Sequence, residues 1–76
     1  MNTTNGNFKN VEVGQTLNIV IKGIQTTAIV YHVSRCQIDV RFWDLQNPQW
    51  EAFRAFTTKG VVRYLSENSF IQNVSL

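Results

Sequence analysis

The segment from Cys36 to Trp43 alternates cleanly. Cys36, Ile38, Val40 and Phe42 are interleaved with Gln37, Asp39, Arg41 and Trp43, the period of two that a strand with one buried face requires. Leu17, Ile19 and Ile21 repeat the pattern against Asn18, Val20 and Lys22. Between these runs, Thr26 to Val33 is rich in β-branched residues and apolar on both faces, as suits a central strand. The breaks fall at Gly23 and at Ser34-Arg35. Three consecutive strands therefore constrain the fold before anything else does.

Register follows from the same pattern, because a slip of one residue moves every side chain to the other face. With Ser34-Arg35 as a two-residue loop, Val33 faces Cys36, Tyr31 faces Ile38, Ile29 faces Val40 and Thr27 faces Phe42. A three-residue loop at Gly23-Ile24-Gln25 sets Ile21 opposite Thr27, Ile19 opposite Ile29 and Leu17 opposite Tyr31. All three strands then turn their largest apolar residues to one face. The other face displays Lys22, Arg41 and Trp43, with His32, Asp39, Val20, Ala28 and Val30.

Asn47-Pro48 has the signature of a helix start, with Asn as cap and Pro in the first turn. Glu51 follows at the favourable end of the helix dipole. Ala52, Phe53 and Phe56 share a side, and Lys59-Gly60 forms a stop. The expectation is a short helix around 48–59. The competing assignment is a hairpin turning at Asn47-Pro48, with Trp50 to Thr58 as a further strand. Two short strands follow, Val61 to Leu65 and Phe70 to Val74, around a turn at 66–69. The polar stretch 1–10 reads as a flexible tail, leaving 11–76 as one small domain. The expected fold is mainly β: a small five-stranded antiparallel bent sheet or barrel with one short helix. SH3-like and OB-like barrels are the architectures of that size and strand count.

Composition narrows the function. A chain of 76 residues that is 43% hydrophobic and 16% charged is folded rather than disordered, although at this size it buries only about 60% of its unfolded surface. No apolar run reaches the roughly 20 residues that span a bilayer. The first residues lack the basic start and apolar stretch of a secretory signal, so a cytoplasmic location is expected. Two glycosylation sequons, at Asn2 and Asn73, then have no export route and count as chance matches.

Catalytic chemistry has little to work with. In this register Cys36 lies on the apolar face and His32 on the other, so they form no thiolate–imidazole dyad, and Cys36 reads as core filler. His32 and Asp39 form a diagonal surface pair with no serine or second acid beside them. The carboxylates are dispersed, one cysteine and one histidine complete no four-ligand zinc site, and the glycines form no phosphate loop. No enzyme activity, metal or cofactor is expected.

The outer face carries the functional expectation, with Trp43, Arg41, Lys22, His32 and Val30 as binding residues. Trp43 stands among polar neighbours two positions from Arg41, and a tryptophan beside a guanidinium suits a contact surface. The expected function is a protein-interaction or homo-oligomerising module that uses this semi-apolar face. The alternative is a single-stranded nucleic-acid binding module, toward which the net charge of +2 is a mild bias. A third is a small-ligand or enzymatic site formed at a subunit interface.

Overall fold

The computed structural model describes residues 2–44 and 46–76. Among them the chain is all strand: β1 (Asn2–Asn5), β2 (Thr16–Ile21), β3 (Ile24–Val33), β4 (Gln37–Asp44), β5 (Asn47–Thr58), β6 (Val61–Ser66) and β7 (Ile71–Ser75). The strands close into a barrel in the order β1-β6-β5-β4-β3-β2-β7. From β2 to β6 it is an antiparallel meander, and β1 closes it by pairing antiparallel with β6 and parallel with β7. Closure protects most strand edges in so small a protein; the N-terminal part of β5, before its pairing with β6 begins at Arg54, keeps one edge open.

Mainly β and barrel-like is the expected class, but there are seven strands rather than five, and residues 48–59 form strand rather than helix. The helix assignment put Ala52, Phe53 and Phe56 on one side. In the strand Phe53 alone points inward, fully buried, while Ala52 and Phe56 face out. Pro48 is tolerated because this part of β5 has a neighbour on one side only. Asn47 to Arg54 pair with β4, whereas pairing with β6 begins at Arg54, so the missing N–H of Pro48 interrupts no second ladder.

The segment expected as a flexible tail contributes to the barrel. β1 pairs with two neighbours, the Thr4 hydroxyl accepts a bond from the Tyr64 amide at 2.9 Å, and Phe8 is fully buried. Phe8 meets the Tyr64 ring edge-on at 5.9 Å between centroids, an arrangement that suits the ring quadrupoles. Asn7 fixes the approach: its side-chain carbonyl accepts the amides of Lys9 and Val62. Strand pairing, these hydrogen bonds and one buried ring together anchor a stretch that is polar by composition.

Two turns set the register. Lys22 and Gly23 have φ of +52° and +79°, and Lys59 and Gly60 have +51° and +79°. Positive φ at both central residues defines the two-residue hairpin turn whose twist matches the strands. The β2–β3 loop is thus Lys22-Gly23, not the expected Gly23-Ile24-Gln25, and Leu17 pairs with Ala28 and Ile19 with Thr26. Between β3 and β4 the register shifts: Val30 faces Val40, but His32 faces Asp39. Tyr31 is the extra residue of a bulge.

The consequence is a reversal of β3. Ala28 and Val30, expected outside, are in the core, while Ile29 and Tyr31, expected inside, are exposed. β2 and β4 keep their expected faces, with Leu17, Ile19, Ile21, Ile38, Val40 and Phe42 all buried. Cys36, expected in the core, is exposed in the loop before β4, where its Sγ lies 3.8 Å from the Ser34 hydroxyl.

Candidate functional site

The outer side of β3, β4 and β5 forms an aromatic surface around one guanidinium. Cross-strand pairing puts Ile29, Arg41 and Trp50 in one row, and Trp43 beside Pro48 in the next. Trp43 is 64% exposed and Trp50 70%, unusual values for side chains with so much apolar area to hide. Between them runs a groove of about 500 Å³ whose lining includes Thr27, Ile29, Arg41, Trp43, Pro48 and Trp50. Trp43 and Trp50 are diagonal neighbours, about 7–8 Å apart at Cα.

Arg41 is central to this surface. Its guanidinium carbon lies 5.5 Å from the centroid of the Tyr31 ring, within cation–π range. A second recess beside the groove is lined by Tyr31, Arg41 and Trp50. Among the described residues Arg41 has no carboxylate partner. The bulge at Tyr31 produces this arrangement: it keeps both Tyr31 and His32 outside while Val30 and Val33 face the core.

Two acids of β4, Asp39 and Asp44, have basic partners. Lys22 Nζ lies 2.9 Å from Asp44 Oδ2 and 5.3 Å from the centroid of Phe70. His32 Nδ1 lies 3.3 Å from Asp39 Oδ2, and Gln37 donates to the other oxygen of Asp39 at 3.1 Å. His32 and Asp39 are directly opposite rather than diagonal. No group of three His, Cys, Asp or Glu side chains converges among the described residues.

The expected binding residues are therefore only partly brought together. Arg41 and Trp43 line the groove, whereas Lys22 and His32 lie outside its lining and contact Asp44 and Asp39. Val30 is fully buried and is removed from the surface, because the bulge and the tight Lys22-Gly23 turn reverse the faces of β3. Tyr31, Ile29, Pro48 and Trp50 are the contributors that sequence reasoning missed. Trp50 was hidden by the helix assignment, and Tyr31 and Ile29 by a register that ignored the lysine-glycine turn. Comparison with known protein families, with curated proteins and with solved structures gives no match.

Proposed function

We propose that the protein is a non-enzymatic module that binds single-stranded nucleic acid on the outer face of β3–β5. The observation that carries this reading is Arg41, a cation with no carboxylate partner among the described residues, set between the exposed rings of Tyr31 and Trp50. Bases present π-faces that stack on aromatic side chains irrespective of sequence, while a guanidinium takes the phosphate or stacks in turn. The rings are carried by paired strands, so binding need not order the backbone that presents them, which lowers its cost. A duplex hides its base faces and would leave these rings unused.

The second reading is the packing of the same face on another protein or on a copy of this chain. Exposed Ile29, Trp43 and Trp50 favour it, since aromatic anchors dominate protein interfaces. Two of the four residues that made it the leading expectation, Ala28 and Val30, lie in the core, while Val20 and Trp43 do not; this weakens it relative to the first.

The test is binding to an oligothymidylate over a range of salt. Trp50→Ala should lose about 1–3 kcal/mol, the usual worth of one stacked base. Arg41→Ala should weaken binding and flatten the salt dependence by about one contact, a change near 0.7 in the log–log slope for a single strand. If the chain ignores the oligonucleotide but doubles its mass with concentration, and Trp50→Ala abolishes that doubling, the second reading replaces the first.

A further inference from the structure

Strand β5 extends the aromatic surface well beyond the groove. Its outward positions are Pro48, Trp50, Ala52, Arg54 and Phe56, every second residue along 12. At about 3.3 Å per residue, Trp50 and Phe56 stand roughly 20 Å apart on one continuous face. Phe56 is 40% exposed, and its cross-strand partner on β6 is Arg63, itself exposed. The turn beyond them carries the exposed Lys59.

Charge follows the same line. Asp39 and Asp44 are paired with His32 and Lys22. Glu51 accepts a bond from Asn68 on the opposite side of β5, and Glu67 is paired with Arg54 in a bridge exposed on both sides. Among the described residues Lys9, Arg35, Arg41, Lys59 and Arg63 have no carboxylate partner, and Arg41, Lys59 and Arg63 lie on β4, in the β5–β6 turn and on β6, flanking β5. An aromatic ring beside an unmatched guanidinium therefore occurs twice, as Trp50 with Arg41 and as Phe56 with Arg63. Arg54 lies between the two ends, nearer Phe56, held by a solvent-exposed pair that a phosphate can displace.

We infer that the binding face has a second subsite at Phe56 and Arg63, and that a single strand of nucleic acid lies along β5 from one pair to the other. This rests on the single-strand reading above and adds to it a direction and a minimum length. A short oligonucleotide fills the Trp50 end alone. A longer one bridges both ends and gains the second stacking contact and the second phosphate contact without paying again for association.

The experiment compares oligothymidylates of about four and about twelve nucleotides, which sample the range of site sizes of small barrels. Phe56→Ala and Arg63→Ala should each weaken binding of the longer one roughly fivefold or more. Both should leave the shorter one unchanged, which also shows that the barrel is intact. Arg63→Ala should in addition flatten the salt dependence of the longer oligonucleotide alone. Trp50→Ala should weaken both. If Phe56→Ala and Arg63→Ala bind the longer oligonucleotide like the unaltered chain while Trp50→Ala does not, the second subsite is refuted and the groove stands. If the unaltered chain binds neither length, both the subsite and the single-strand reading fall.

Discussion

Replacing Val30 by alanine tests the reversal of β3, on which the whole candidate face depends. Val30 is fully buried, whereas its neighbour Ile29 is 50% exposed. Val30→Ala deletes two buried methyl groups, worth about 0.8 kcal/mol each by transfer. The barrel wall can relax only partly into the space, and the residual cavity brings the cost to about 2–3 kcal/mol. Ile29→Ala removes more carbon, but from a surface position, and should cost less than about 1 kcal/mol. For a domain of this size each kcal/mol moves Tm by about 4–8 °C, so Val30→Ala should lower Tm by roughly 10–20 °C and Ile29→Ala by under roughly 8 °C. Thermal melts followed by far-ultraviolet circular dichroism measure both. If Ile29→Ala is the more damaging change, Ile29 faces the core, and the groove residues Ile29 and Tyr31 are wrongly assigned.

Three further outcomes are expected. Cys36 is exposed, so a bulky thiol reagent should label it in native buffer far faster than the domain unfolds; labelling no faster than unfolding would return Cys36 to the core. Gly60 sits at φ +79°, and Gly60→Ala should cost about 1–2 kcal/mol through backbone strain, since open space surrounds the position; an unchanged urea midpoint would contradict the lysine-glycine turn. Burial pushes the Tyr64 phenol above its usual range, so the unfolded chain gives up this proton first as pH rises. Its contribution to stability should be complete below about pH 10 and decline above it, and Tyr64→Phe should lessen that alkaline decline in a denaturant titration against pH.

The strands of this barrel were legible wherever one face is wet and the other dry. Leu17–Ile21 and Ile38–Phe42 show the period of two, and the structure buries the residues that the period selects. β3 shows no such contrast, because Ala28 to Val33 is apolar on both sides apart from His32. Its faces are fixed by the Lys22-Gly23 turn and by the bulge at Tyr31, and only the first leaves a mark in the sequence. A glycine after a lysine was enough to propose a two-residue turn, and with it Ile21 would have paired with Ile24 as observed. β5 misled for a different reason. Asn47-Pro48 has the chemistry of a helix cap, yet here it opens a strand segment paired on one side only, where proline costs nothing. Trp43 and Arg41 were legible because they sit on the one strand whose alternation is unbroken. Trp50 and Tyr31 join them through pairings that no local pattern announces.

The contact face can be tested most directly by intrinsic fluorescence, since both tryptophans of the chain, Trp43 and Trp50, stand on it in the open. Titration with a single-stranded oligothymidylate at low salt should quench their emission saturably, because a base stacked on an indole is an efficient quencher. Raising the salt should reverse the quenching, as release of phosphate contacts requires, and a duplex at equal phosphate concentration should quench less. Emission that stays unchanged through excess oligonucleotide at low salt would contradict the proposed function outright.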